Sequence, residues 1–347
     1  MKTTNQPAVT RTLLSAKDTT ARTGVSALRT HSRREFLKTS AAVAGALVSA
    51  ALPAAGEERD ARREVRLERL RPRDIEHAMA NCPVLFQPLG TIEWHGLHNI
   101  VGLDAVKAHH LCVRAAQRGG GLVAPAVFGG VGGLDQPHTF VMEPENDVHS
   151  VLVRSWVQKF CQEAVRQGFK AVIVLTGHYG AAQQMVVRDL AVRLSRSLGV
   201  PVLGTPEYFL ALDAGYRGDH AAWGETSLMM HLDPASVDLS QLGNPPHRGV
   251  GGRDPREATR ADGEKISETI IDRLARLAQR MPKWDRATLD SFIEAESALV
   301  SRQFALAASE KNIWAAWRNI GKGALADYGR MLVEEKFADI ANLTKTL

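Results

Sequence analysis

Cysteine is scarce in this chain: three in 347 residues, at positions 82, 112 and 161. So small and odd a number excludes a disulfide framework as the means of holding the fold together. Cys112 and Cys161 fall within apolar helical patterns and read as core residues. Long hydrophobic runs are also lacking; the apolar stretch from Ala41 to Leu52 is too short for a comfortable membrane span. Basic charge is missing from the body of the chain. Residues 1–55 hold eight basic against two acidic residues, and the remainder holds 35 against 36, so the formal net charge of +5 belongs to the amino terminus. A near-neutral body carries no electrostatic footprint for nucleic acid. No internal repeat is apparent.

The amino terminus accounts for its own charge. A basic, polar segment leads into Ser32-Arg33-Arg34-Glu35-Phe36-Leu37-Lys38, then the alanine-rich run, then Pro53-Ala54-Ala55. Basic region, short weakly hydrophobic core and small residues at a cleavage site are the layout of an export signal. The paired arginines resemble a twin-arginine signal. No cysteine directly follows the run, the first being Cys82, which speaks against a lipid anchor. The expectation is a signal over residues 1–55, a charged linker over 56–71, export to the periplasm or medium, and only transient membrane contact.

Beyond the linker, helical and strand patterns alternate. Pro72 to Ala80, Asp104 to Arg118, Asp147 to Gln167, Gln183 to Leu198 and Gly224 to Leu232 read as helices. Pro83 to Gln87, Leu122 to Val127, Lys170 to Thr176 and Val200 to Gly204 read as strands, the third an unbroken β-branched run suited to a central position. Such alternation predicts a three-layer α/β/α sandwich with a mostly parallel sheet. From about Lys283 the pattern becomes helical throughout (Ala287 to Ala308, Asn312 to Ile320, Leu325 to Leu343), so residues 283–347 read as an extension to a catalytic domain at 72–282.

Chemistry-bearing residues concentrate just after strands. Gln87-Pro-Leu-Gly-Thr-Ile-Glu93-Trp94-His95-Gly, followed by Asp104, sets two carboxylates and an imidazole in a glycine-punctuated loop. In extended backbone, alternate residues share a side, so Glu93 and His95 can enter one cavity. That donor set suits Zn²⁺ or Mn²⁺. The same stretch also fits a polar loop whose Asp104 caps the next helix. Gly177-His178-Tyr179-Gly180 follows the central strand, and Asp219-His220-Ala-Ala-Trp223-Gly224-Glu225 precedes a helix. Sites in such sheets form where loops leave the carboxyl ends of strands.

These motifs resemble the creatininase (creatinine amidohydrolase-like) family. Glu93-Trp-His95-Gly with Asp104 is similar to its Glu-x-His-Gly…Asp signature, and Gly177-His178-Tyr179 to its Asn-Gly-His segment. His220-Ala-Ala-Trp-Gly-Glu225-Thr226-Ser227 is similar to its His-Ala-Gly…Glu-Thr-Ser. Gly249-Val-Gly-Gly-Arg-Asp254-Pro255 is similar to its closing stretch. The resemblance spans about Pro72 to Met281.

It implies a two-metal amidohydrolase, commonly of Zn²⁺ and Mn²⁺ with iron possible, often a hexamer. Glu93, Asp104 and His178 would hold one metal. His95 and a bridging Asp104 would hold the other. The family's further glutamate is replaced by Gly180, which makes Glu225 the candidate for the missing carboxylate and for a part in catalysis. His220 matches a family histidine outside the ligand set and is the candidate proton donor. Trp94, Tyr179, Trp223 and His138 are candidates for the pocket wall. His138-Thr-Phe-Val-Met-Glu-Pro replaces a Phe-Pro-Gly-Thr stretch, which points away from creatinine itself as the substrate. The expected reaction is hydrolysis of a C–N bond in a small amide, cyclic amide or formamide. The competing reading is a metal-binding or assembly protein without turnover. A nucleotide site at Gly129 to Gly133 lacks the strand-to-helix context and acidic partner that such a fingerprint needs.

Overall fold

A computed structural model describes residues 63–347; the segment read as an export signal and the first part of the expected linker lie outside the described residues. Helix α1 (Pro72–Asn81) leads into strand β1 (Val84–Gly90), followed by α2 (Leu103–Gly119), β2 (Leu122–Val123) and β3 (Val127–Phe128). Helix α3 (Val151–Arg166), β4 (Ala171–Thr176), α4 (Ala181–Leu198), β5 (Val202–Pro206) and α5 (Trp223–Leu232) continue the alternation. Helices α6 (Arg260–Arg280), α7 (Arg286–Glu310), α8 (Tyr328–Val333) and α9 (Phe337–Asn342) complete the chain. The strands pair in parallel in the order β2-β1-β4-β5, with β3 also on β1.

Alternation along the strands divides the core in two. Val84, Phe86, Ile173, Leu175 and Leu203 face a cluster with Leu111 of α2 and Ile270 of α6. Leu85, Leu89, Val172, Val174 and Val202 face the opposite cluster with Val157 of α3 and Val186 of α4. Both faces of the sheet are covered, so its strands are apolar on both sides, with Gln87, Thr176 and Thr205 as buried polar exceptions. This is the α/β/α sandwich expected from the alternation. Cys112 and Cys161 are buried and unpaired in these two clusters. Among the described residues no helix is long and apolar enough to cross a membrane.

Several elements differ from the sequence reading. The strand expected over Leu122 to Val127 is broken into β2 and β3, because Pro125 has no N–H to donate. The break has a purpose on the other side. Strand β1 runs on to Gly90 through Pro88, and the gap between the Phe86–Val123 and Leu89–Val127 pairings falls opposite that proline. The Gln87 side-chain amide spans the gap, donating to the Pro125 carbonyl at 3.0 Å. Helix α3 starts later than expected, at Val151, where the Ser150 hydroxyl accepts from Val153 N–H at 3.1 Å. Helix α6 was not read from the sequence; the Thr259 hydroxyl caps it by accepting from Asp262 N–H at 3.0 Å. The helices expected over Asn312 to Ile320 and Leu325 to Leu343 are instead 3-10 turns and the short α8 and α9, with Leu325 and Glu335 at positive φ. The segment from 283 onward packs into the same unit as the sheet.

Candidate metal centre and active-site cavity

Strands β1 and β4 are neighbours in register, Leu89 opposite Thr176. The loops that carry Glu93, His95 and His178 therefore leave the sheet side by side. Between them sits the first turn of α2. Two glycines admit it: a β-carbon on Gly90 would lie 2.2 Å from Ala105 N, and one on Gly177 would lie 2.1 Å from Asp104 O. Any other residue at either strand end would push α2 away. The close approach brings Asp104, 1% exposed, against both loops.

The ligand candidates meet around Asp104. Its Oδ1 is 3.1 Å from His95 Nε2, and its Oδ2 is 3.1 Å from His178 Nδ1. Glu93 Oε2 is 3.0 Å from His178 Nδ1, and Glu225 Oε2 is 3.6 Å from His95 Nε2. Glu93, Asp104 and His178 form one set whose donor atoms lie within 4.8 Å of one another, and His95, Asp104 and Glu225 form a second. A third set joins Glu93, His95 and His220. All five residues proposed from the sequence as ligands are brought together, with Asp104 shared.

The hydrogen bonds around the two rings decide what the centre can hold. His178 Nε2 lies 3.1 Å from the Val131 carbonyl, and His95 Nδ1 lies 3.0 Å from the Glu93 carbonyl. A carbonyl only accepts, so each ring spends an N–H there. In the neutral ring the second nitrogen is then bare, yet it faces two carboxylate oxygens. Such a juxtaposition needs a proton on each ring or a cation between the groups. In the proton case burial opposes the charge, but Asp104 and Glu225 outweigh it and raise His95 to about 9. His178 is likewise raised, with Glu93 and Asp104 overcoming burial. Glu93 and Asp104 are lowered in turn by the facing histidines, against burial. Divalent cations replace those protons with the same donors. Fixed tautomers with bare nitrogens turned toward carboxylates are the arrangement metal-ligating histidines adopt. The residues fit such ions.

Behind this centre lies a buried cation that the sequence reading missed. Lys107, fully buried, is three residues after Asp104 on α2 and so on the same face. Its Nζ is 2.8 Å from Glu207 Oε1, donates to Tyr179 Oη at 2.9 Å, and pairs closely with Glu225 Oε1. The Tyr179 hydroxyl donates to Glu207 and meets Tyr216 Oη at 2.8 Å. Burial opposes the Lys107 charge, but Glu207 and Glu225 hold its pKa above the ordinary lysine value. Glu93, Asp104, Glu207 and Glu225 thus bring four buried carboxylates against one buried ammonium. That excess of negative charge is a second indication that cations belong here. A lone lysine in the apolar pattern of α2 was the available signal.

A cavity of about 510 Å³ opens beside the centre, lined by Glu93, His178 and His220 and by Tyr179. His220 Nε2 lies 2.8 Å from the Trp94 carbonyl, to which it donates, and its ring is 4.3 Å from that of His95. Burial and the neighbouring His95 lower its pKa, so at neutral pH the ring is uncharged. Glu145 and Asp219 also line the cavity and were not singled out from the sequence. Burial raises both acids, Asp219 to about 7. Backbone N–H groups of Gly133 and Ala181 bind Glu145; those of Gly224 and Glu225 bind Asp219.

Some expectations need correction. Of the aromatic candidates, Tyr179 lines the cavity, whereas Trp94, Trp223 and His138 do not. Trp94 lies between Glu93 and His95 in extended chain and points to the other side, where its indole donates to the Arg248 carbonyl at 2.9 Å. The exposed His138 ring stacks on it at 6.4 Å. Trp223 donates to Asp262 at 3.3 Å and lies under Arg253. Glu225 does not line the cavity either, and its oxygens accept from Lys107 and from Ala221 N–H at 2.8 Å. Its Oε2 is turned toward His95, away from the cavity where a substrate would sit.

In sequence and in fold the chain is similar to known proteins. Residues 68–278 match the creatininase family, described as creatinine amidohydrolase. A creatinine amidohydrolase of Pseudomonas putida is 30% identical over 192 residues, which cover 48% of this chain and 70% of that protein. Among solved structures, a creatinine amidohydrolase (creatininase) superposes with a TM-score of 0.52 at 26% identity, covering 64% of this chain and 99% of the other. A creatininase point mutant of the Zn–Zn type superposes with a TM-score of 0.51 at 25% identity, covering 63% and 99%. With residues 68–278 matched by the family model and its fold shared with these structures, the chain belongs to the creatininase family of amidohydrolases, hydrolases of C–N bonds other than peptide bonds.

Proposed function

We propose that this chain is an exported amidohydrolase that cleaves a C–N bond of a small amide, cyclic amide or formamide. Glu93, Asp104 and His178 would hold one divalent cation, and His95, Asp104 and Glu225 the other. Zn²⁺ and Mn²⁺ suit these nitrogen and oxygen donors. The carrying observation is that Asp104 offers one oxygen to each histidine at 3.1 Å. When bound, such a pair of cations supplies a water of near-neutral pKa and polarises a carbonyl.

The chain's own residues supply the rest. Lys107 neutralises part of the carboxylate charge behind the centre and fixes Glu225 and Tyr179. His220, uncharged and at the cavity wall, takes a proton on Nδ1 and returns it to the departing nitrogen. Without that transfer the tetrahedral intermediate cannot expel an amine. Its Nε2–H bond to the Trp94 carbonyl holds the ring in the required tautomer.

The export signal over residues 1–55 supports a periplasmic or secreted site of action. Exposed Phe140, Val141, Met142, Leu152 and Trp156 support assembly with further copies of the chain, as does the hexameric habit of the family. Metal analysis of purified protein, with release of amine or acid from a panel of small amides, tests the central reading. Less than one equivalent of metal, or full metal with no amide cleaved, would sink it.

A further inference from the structure

The family match ends at residue 278, yet the cavity wall does not. Trp314, Trp317 and Ile320, from the turns that follow α7, line the same cavity as His178 and His220. Their position is built and not incidental. The Asn312 side chain accepts from Trp314 N–H at 3.0 Å and sets the turn. Edge-to-face aromatic contacts then tie the turn to the centre: Trp317 to Phe209 at 5.9 Å, Phe209 to Tyr208 at 4.9 Å, and Tyr208 to Tyr179 at 4.9 Å. Tyr179 directly follows His178. Trp314 nonetheless remains 49% exposed while lining the cavity, and Trp317 has a buried indole N–H without a protein acceptor. A large indole kept at a cavity wall and left partly uncovered has apolar surface to give to a ligand.

We infer that residues 312–320 form an aromatic subsite that binds a flat apolar substituent, an aryl group, carried by the amide substrate. This rests on the amidohydrolase reading and narrows it: the reacting amide sits at Glu93, His178 and His220, and the ring lies against Trp314 and Trp317. A cavity of about 510 Å³ has room for both parts. Covering one aryl ring against two indoles is worth a factor of about ten to a hundred in affinity.

The test is a titration of the full mature chain, zinc-loaded and metal-free, with hydantoin and with 5-benzylhydantoin, which share the cyclic amide and differ by one aryl group. The benzyl compound is expected to bind at least about tenfold tighter. The half-exposed Trp314→Ala and the ring-preserving Trp317→Phe, separately and together, should bring the ratio toward one at unchanged zinc content. Equal affinities in the wild-type chain, binding of neither compound, or a preference that survives Trp314→Ala combined with Trp317→Phe would overturn the subsite. A benzyl preference in a chain that takes up no zinc would keep the subsite and remove the hydrolase reading.

Discussion

Asp104 Oδ2 stands 3.1 Å from His178 Nδ1, on a ring whose other nitrogen is held by the Val131 carbonyl at 3.1 Å. The pairing joins the first turn of α2 to the loop after β4, and it leaves the ring one face to give. His178→Ala is expected to lose metal and to lower turnover about 100-fold or more. Elemental analysis beside the amide assay checks both; full metal content in the variant would remove His178 from the ligand set.

The metal-free chain should respond to pH in a definite direction. His95 is raised to about 9 from an ordinary 6.5, so the stability its proton supplies is fully present below pH 6.5 and is lost as pH rises through 9. The loss is on the order of 3 kcal/mol. Zinc takes the place of the protons, so the loaded chain should keep its melting temperature over the same window. Parallel thermal melts of the two forms measure the difference. A metal-free curve that is flat there would contradict the buried histidine–carboxylate geometry.

Gly180 stands two residues after His178, where the resemblance to creatininase implies a glutamate, and the structure gives the steric reason for its smallness. A β-carbon there would lie 2.6 Å from His178 Nε2 and 2.8 Å from Val131 O. Gly180→Ala should cost about 1–3 kcal/mol by overpacking and should weaken metal retention by displacing the ring. Melting curves and metal content of the same preparation report the two effects, and neither should change alone.

Removing Lys107 leaves Glu207 and Glu225 buried without their shared cation. Lys107→Met is expected to destabilise by about 3–5 kcal/mol, the cost of breaking a buried pair from one side. Denaturant unfolding measures it. A change below about 1 kcal/mol would mean that the pair is open to water.

His220→Ala should retain metal and lose turnover by about 10²–10⁴-fold, the range for a positioned proton carrier. In the wild type the acid limb of kcat/KM should fall as pH drops through a value below the ordinary 6.5, because burial and His95 lower this ring. An acid limb that survives in His220→Ala would assign it elsewhere, with Asp219 the first alternative.

For export, changing both Arg33 and Arg34 to lysine should leave the full-length precursor in the cytoplasm. Cell fractionation reads this out, and undiminished delivery would overturn the twin-arginine reading.

How much of this was open to the sequence depends on how local each cause is. The alternation of strands and helices shows because apolar period and glycine-bounded ends act within a few residues, and Glu93-x-His95 shows because extended chain sends alternate side chains the same way. That same alternation turns Trp94 outward, which proximity in sequence concealed. The sharing of Asp104 belongs to the tertiary structure, since it requires α2 to drop between Gly90 and Gly177. So does the Lys107 network, whose partners lie on α5 and beyond β5. The place of Trp314 and Trp317 at the cavity is decided by how α7 returns the chain to the sheet. A polar pair or an aromatic wall leaves no periodic mark when its members are a hundred residues apart; the packing of the faces between them sets the distance.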